Sequence, residues 1–446
     1  MLPISLSRAL AGVIPALALT LLSTVPASAM KIERVKSPAG VEAWLVEEHS
    51  LPLLSMNFAF MGGSSQDPAD KPGVAHFLTT MLDEGAGDLN AEQFQKEVEA
   101  LAVRMRFDAG RDTFTGSLQT LTDHRDRAAE LLSLALSKPR FETDSVERMR
   151  RQLLAGIAFD AKDPEKVADQ AWYATAFAGH PYGWPVDGTQ ASVGSVSAAD
   201  LEAYRSRVFA RDNLKVAVVG DIDAATLSAF LDKAFGGLAA KAGLRDVPAV
   251  DPTGGPRQSL IEMDIPQSVA QFGQVGLQRK DPDFIPAYIL NYIIGGGGFS
   301  SRLMDQVREK RGLAYSVYSY LQNYQRSSVY LGGVATKTDG MDKSLEVIRS
   351  ELERMAKDGP TEAELQDAKQ YLTGSYALNF TSSSAIASQL LGIQILDLGI
   401  DYIDKRNDKV NAVSIDDVRR VAARLLQPGK LIVTVVGKSA KSVSQN

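Results

Sequence analysis

The chain of 446 residues contains 0 cysteines. That excludes a disulfide framework and leaves no cysteine for lipid attachment near the N-terminus. Histidine is scarce as well, with 4 in the whole chain, and His49, His124 and His180 do not pair at metal-binding spacings. There is no cationic surplus. The net charge is -6 and the pI about 5.5, so neither nucleic acid nor an anionic membrane is an expected partner. Beyond the N-terminal leader no stretch is long and apolar enough to span a bilayer. What remains is the composition of an ordinary globular protein, 45% hydrophobic and 23% charged, long enough for two to three domains with their own cores.

The N-terminus has a weakly basic start at Arg8, the apolar run ALAGVIPALALTLLSTV and an Ala27-Ser28-Ala29 site. These are the three parts of a secretory signal peptide. The run is short for a membrane anchor, holds Pro15, and lacks a stop-transfer cluster. Residues 1–29 are therefore expected to be removed, leaving Met30 first and no membrane association afterwards. Export without cysteine fits a periplasmic location.

The mature chain reads as two halves. AAKAGLRDVPAVDPTGGP, from Ala239 to Pro256, has turn formers and no apolar period, and marks a linker over residues 241–257 between domains at 30–240 and 258–446. On either side, short strands mix with amphipathic helices without strict alternation, which predicts an α+β class. VEAWLVEEHSLPLLSMNFAF predicts two strands broken near Pro52, Asn90 is placed to cap a helix, and Asp163-Pro164 to start another. The ends of the halves are alike. ARDNLKVAVVGDID and QPGKLIVTVVGKS each give a turn and a strand ending Val-Val-Gly, and each follows an amphipathic helix. Two similar domains facing one another across a hinge are the expectation.

The segment GVAHFLTTMLDEG carries the first candidate chemistry. On a helix beginning near Pro72, His76, Thr79, Thr80 and Asp83 fall at i, i+3, i+4 and i+7 and share a face. A catalytic zinc needs about three protein ligands and a water, with a carboxylate to take its proton. Only one histidine is present here, and threonine is neither a zinc ligand of use nor a general base. The residues by themselves predict no metal in this chain. Gly295–Gly298 is a glycine run without a preceding strand or a following Gly-Lys-Ser/Thr, so it reads as a close-packed turn approaching a substrate or the opposite domain, not a phosphate loop.

GGSSQDPADKPGVAHFLTTMLDEG nevertheless resembles the active-site segment of the pitrilysin/insulinase-type zinc metallopeptidases, which carry H-x-x-E-H. The two-domain bacterial and mitochondrial-processing-peptidase-like members are the most similar. HPYGWPVDGTQASVGSVSAADLEAYRSRVFARDNLKVAVVGD and GGGGFSSRLMDQVREKRGLAYSVYS resemble two further segments of that family, in the same order. The resemblance implies two homologous α+β domains, each a mostly antiparallel sheet packed with helices. It also implies a loss: the glutamate and second histidine positions hold Thr79 and Thr80, and the third ligand, a glutamate on a later helix, aligns with Gly156. Three substitutions dismantle the site and leave His76 as a remnant held by packing.

The second-domain signature is intact. The family's arginine and tyrosine, which grip the substrate carbonyl and stabilise the oxyanion, map to Arg308 and Tyr315; Arg311 has the wrong spacing to that tyrosine. A permanent cation and a neutral hydroxyl are suitable donors to developing negative charge. The resemblance therefore implies a zinc-less subunit of an exported heterodimeric metallopeptidase, with no cofactor in this chain. Zinc is expected in a homologous H-x-x-E-H partner, and the substrate is a peptide. The alternatives are a non-catalytic structural or peptide-binding homologue, like the family's core subunits in respiratory complexes, and a self-sufficient hydrolase built around His76 and Asp83. N-terminal sequencing of the protein from a periplasmic fraction is expected to begin at Met30. An intact chain starting at Met1 in the membrane fraction would identify an anchor instead.

Overall fold

Two antiparallel-rich sheets carry the architecture. The computed structural model describes residues 30–253 and 258–438, so the expected signal peptide lies outside the described residues. The first sheet is built from β1 (Glu33–Lys36), β2 (Glu42–Glu47), β3 (Leu53–Met61), β4 (Arg104–Ala109), β5 (Thr113–Leu121) and β6 (Leu214–Gly220), in the order β1-β2-β6-β3-β5-β4. The second holds β7 (Gln258–Glu262), β8 (Gln267–Val275), β9 (Ala314–Asn323), β10 (Ser328–Lys337) and β11 (Ile432–Gly437), in the order β7-β11-β8-β10-β9. The fold is α+β, with helices packed on each sheet.

The two sheets repeat one plan. β6 lies parallel to β2 and antiparallel to β3, and β11 lies parallel to β7 and antiparallel to β8. Each of these strands follows a helix (Ala198–Val208 and Ile415–Leu425) and a single 3₁₀ turn, and each ends on a glycine at positive φ. The repeat extends to a packing detail. Phe58 faces Gly116 across β3 and β5, and Phe272 faces Gly332 across β8 and β10. A Cβ on either glycine would sit within 2.3 Å of the phenylalanine ring, so only glycine lets the ring lie flat on the neighbouring strand.

Local chemistry explains most helix starts. Asn90 accepts from the Gln93 N–H while the Gln93 side chain returns to the Asn90 N–H, a reciprocal cap. Asp163 accepts from the backbone of Glu165 and Lys166, with Pro164 in the first turn, where its missing N–H costs nothing. The four-glycine run also differs in detail from its expected use. Its tight member, Gly295, lies against Ser319 of β9 in the same half, where a Cβ would come within 2.4 Å of the hydroxyl, while Gly298 at its far end faces open space.

One face of each sheet packs on helices of its own half. Leu54, Met56, Phe58 and Phe60 alternate into the first core with Leu131, Leu132, Leu227 and Leu231, and Ala270, Phe272, Val433 and Val435 do the same in the second. The opposite faces are covered by an exchange. The helix Pro164–Ala176, from the first half, packs on β8 and β11, and the helix Ser383–Ile395, from the second, packs on β3 and β6. Trp172 Nε1 donates to the Ile432 carbonyl at 3.0 Å and Gln394 Nε2 to that of Val216 at 2.9 Å. Trp172 has room because β8 offers Gly273 beneath it; a Cβ there would stand 2.6 Å from the indole. Because both faces are covered, β6 and β11 are buried along nearly their whole length and read as continuous apolar runs instead of alternating ones.

The connection between the halves is fastened along its length. The Gly243 N–H bonds to the Arg207 carbonyl, the Arg245 backbone exchanges bonds with the Gln66 amide, and the Val250 N–H reaches the Arg326 carbonyl. A polar and aromatic junction adds to this. Tyr182 donates to Asp112 at 2.5 Å, the other Asp112 oxygen accepts the Gln325 N–H at 2.8 Å, and the hydroxyls of Tyr173 and Tyr324 are 2.7 Å apart. The chain from Ile32 onward is one compact unit, more closely joined than a bare hinge implies.

Trp172→Ala removes a fully buried indole and leaves the Ile432 carbonyl without that donor. The expected loss is about 3–5 kcal/mol of unfolding free energy, read as a lowered urea midpoint. An unchanged midpoint would show that the exchanged helix does not hold the halves together.

Candidate functional site

Asp67 sets up the segment that contains His76. Its carboxylate, almost fully buried, accepts the Gly73 and Ala75 N–H groups at 2.8 and 2.9 Å. These are orphan donors at the start of the helix Val74–Thr79. Burial pushes the Asp67 carboxyl up to about 7, opposed by those backbone bonds and by Arg207. Gly73 precedes the helix in the left-handed region at φ 98°, and a Cβ there would strike the backbone of Gly188 at 2.8 Å. The helix therefore starts two residues later than Pro72, where the chain must pass close to a loop from another part of the domain.

The helix also ends early. Thr79 Oγ1 donates back to the His76 carbonyl at 2.6 Å and Thr80 Oγ1 to that of Phe77 at 2.8 Å. Hydroxyls bonded to the preceding turn compete with helix propagation, and the backbone continues in tighter turns through Met81 and Glu84. Asp83 thus falls outside the helix, and its expected place on the His76 face is corrected. Its carboxylate is bonded by Gln95 Nε2 at 3.3 Å and held above the ordinary carboxylate range, chiefly by burial.

His76 is partly exposed, with Nδ1 3.5 Å from Asp187 Oδ1. Asp187 stands in the loop that passes Gly73, and no sequence spacing pointed to it. Gly156 lies exposed in the helix Thr143–Asp160, with open space where a side chain would project. Of the four positions at which zinc peptidases of this type hold ligands and base, one offers a ring nitrogen, two offer hydroxyls already bonded to their own helix, and one offers no side chain. A zinc ion does not fit this set. Among the described residues no group of three or more His, Cys, Asp or Glu side chains is placed to hold a metal.

The edge strand β4 runs beside the His76 helix. Its outer side carries backbone groups with no strand partner, the arrangement to which an extended peptide can add.

Arg308 and Tyr315 lie on the second half. Arg308 lies one residue before the end of a six-residue π-helical segment, Met304–Glu309, a local widening found often at functional positions. Its guanidinium lies 5.0 Å from the exposed Phe299 ring and its Nε 3.6 Å from Glu309. Tyr315 follows on β9, with 51% of its surface exposed. The pairing of β9 with β10 runs from Ala335 opposite Ser316 to Thr336 opposite Ala314, so Tyr315 is the extra residue of a β-bulge. Bulges re-aim a side chain away from the regular pleat. The Arg308 carbonyl accepts the Gly312 N–H at 2.8 Å in the turn that leads to β9, and no side-chain bond links Arg308 with Tyr315 among the described residues. Arg311 is engaged elsewhere, donating to the Gln306 carbonyl at 2.6 Å and to its side chain.

Known proteins match this arrangement over most of its length. Residues 49–190 match the insulinase (peptidase family M16) model, and residues 195–372 match the model of the peptidase M16 inactive domain. A non-peptidase homolog, YmxG, of Helicobacter pylori is 25% identical over 92% of this chain and 94% of its own. An uncharacterized zinc protease of Mycobacterium bovis is 29% identical over 90% of this chain and 92% of its own. The crystal structure of a peptidase M16 inactive domain from Pseudomonas fluorescens superposes with a TM-score of 0.86 at 28% identity, covering 92% of this chain and 98% of that one. With two models of one family lying end to end along the sequence and the same fold in a solved relative, this chain has the architecture of the M16 peptidase family, with no group of side chains among the described residues placed to hold a metal.

Proposed function

We propose that this protein is a non-hydrolysing, peptide-binding homologue of the M16 peptidases, exported to the periplasm. The observation that carries this reading is the state of the motif positions. Thr79 and Thr80 are bonded to their own helix and Gly156 offers no side chain, so these positions supply neither a second ligand to His76 nor a carboxylate to deprotonate a water, and Asp187 beside His76 completes no group of three ligating side chains among the described residues. The peptide-binding machinery is separate from these residues and is kept. The open edge of β4 beside the His76 helix supplies main-chain hydrogen bonds to an extended segment. The naming of one relative as a non-peptidase homolog supports the same reading.

The exposure of Arg308 and the bulge at Tyr315 favour a second role on the same scaffold. Both side chains are open to a neighbouring molecule, and among the described residues neither is engaged in a strong ion pair or hydrogen bond. In a heterodimer with an H-x-x-E-H chain they would serve as cationic and phenolic donors to the carbonyl of a peptide held by that partner.

The purified mature protein is expected to contain no stoichiometric zinc by elemental analysis and to leave unfolded casein intact. One tightly bound zinc per chain, with proteolysis lost on chelation, would overturn the non-hydrolysing reading. In a reconstituted mixture with an H-x-x-E-H partner, Tyr315→Phe is expected to lower kcat about 10²-fold, with a much smaller change in KM. Equal rates with and without the hydroxyl would sink the donor role while leaving peptide binding in place.

A further inference from the structure

A cavity of about 570 Å³ lies between the exchanged helix Ser383–Ile395 and the second half. A second cavity, about 650 Å³, adjoins it through Arg279, Gln322, Asn323 and Leu396 and carries charges of both signs, Arg111, Lys280, Asp112 and Asp397. Volumes of this order suit a small ligand or the end of a peptide. The lining of the first cavity has an unusual charge balance. It includes Arg279 and Arg406 and no aspartate or glutamate.

Neither arginine forms an ion pair among the described residues. The acids closest to Arg279 in sequence are committed elsewhere, Asp281 and Asp283 to Arg420 and Arg424. Asp397, on the rim of the second cavity, is held by Lys280 at 2.5 Å. Arg406 is 5% exposed. Its Nη1 donates to the Leu372 carbonyl at 2.6 Å and to the Asn407 side chain at 2.9 Å, and the ring of Tyr376 lies 4.4 Å from its guanidinium carbon. Arg279 donates to the Tyr402 hydroxyl and stacks 4.3 Å from the Phe284 ring. Both arginines line this one cavity. Arginine stays charged in any protein environment. A buried cation without a counter-ion is costly, so the fold holds a site of positive potential that an anion would relieve.

The rest of the lining indicates what the anion is attached to. The remaining wall mixes apolar and aromatic side chains, such as Phe284, Ile285, Leu321 and Ile393, with neutral polar ones such as Asn379 and Gln389.

We infer that the first cavity binds the carboxylate of an apolar peptide, with Arg279 and Arg406 on the carboxylate and the Tyr376 and Tyr402 hydroxyls beside it. This deepens the peptide-binding reading and rests on it for the identity of the ligand. Planar guanidinium groups match a carboxylate in geometry, and hydrogen bonds between charged partners are about twice as strong as neutral ones. The carboxylate can be a C-terminus or an acidic side chain, and the two are separable by experiment.

The test uses the mature full-length protein and fluorescein-labelled apolar decapeptides in three forms: a free C-terminal acid, its C-terminal amide, and that amide with one internal glutamate. Anisotropy is expected to show the acid binding at least tenfold more tightly than the amide. Recovery of affinity by the glutamate form would assign the site to an acidic side chain, and no recovery would assign it to a chain end; either keeps the arginine pair as the receptor. Arg279→Gln should reduce the difference between acid and amide to below threefold. The wild-type comparison does not depend on whether an Arg406 variant folds. Acid and amide bound equally well would overturn the carboxylate site while leaving peptide binding intact. N-acetylphenylalanine, too short to add as a strand, separates the two readings from the other side. A saturable thermal shift with it and no binding of any decapeptide would keep the carboxylate site and defeat the peptide-binding reading.

Discussion

Each sheet of this protein is sealed by a helix that belongs to the other half, and the molecule depends on that exchange. A sheet needs cover on both faces if its strands are apolar on both, as β6 and β11 are. The helices of each half supply one cover. The second comes from Pro164–Ala176 on one side and Ser383–Ile395 on the other, with Trp172 and Gln394 bonded to the carbonyls of equivalent strands. Neither half can complete its own core alone, because part of the apolar surface that completes it lies in the other half's sequence. The fastened linker and the Tyr182–Asp112–Gln325 bonds follow the same logic, since they hold together parts already committed to one another.

The exchange also creates the arginine-lined cavity. The helix Ser383–Ile395 closes a space whose other walls come from β9 and the helices of the second half. Arg406 approaches it through the carbonyl end of the helix Glu362–Gly374, where the helix dipole and the Leu372 carbonyl favour a cation. The scaffold thus offers an open strand edge on the first half, a cationic cavity between the halves, and exposed arginine and tyrosine side chains on the second. Loss of the zinc ligands leaves all three in place, because none of them is built from His76, Thr79, Thr80 or Gly156.

Much of the local structure was legible in the sequence because it depends on neighbours along the chain. The caps at Asn90 and Asp163 involve groups within three residues, and the repeated Val-Val-Gly strands are runs of adjacent apolar residues. The failures lie where distant segments meet. The helix carrying His76 reads as continuous to Asp83, yet it ends at Thr79 as the threonine hydroxyls turn back and the chain tightens. Asp187 beside His76 and Asp67 beneath the helix start had no periodic signal, since each reaches its partner through a loop. Nothing in the sequence around Arg279 and Arg406 marks them; what sets them apart is that they line one cavity whose wall holds no aspartate or glutamate.

By itself the sequence determined what the motif positions could do: threonine, threonine and glycine supply neither a second imidazole nor a carboxylate there, whatever the backbone does. It also determined the local helix and strand starts, because caps and alternation act over a few residues. Tertiary structure alone decided which half covers which sheet, that Tyr315 stands out as a bulged residue, and that two arginines from distant parts of the chain share one cavity. Those outcomes depend on long-range packing and on the solvent excluded by it, and neither has a signature in the order of neighbouring residues.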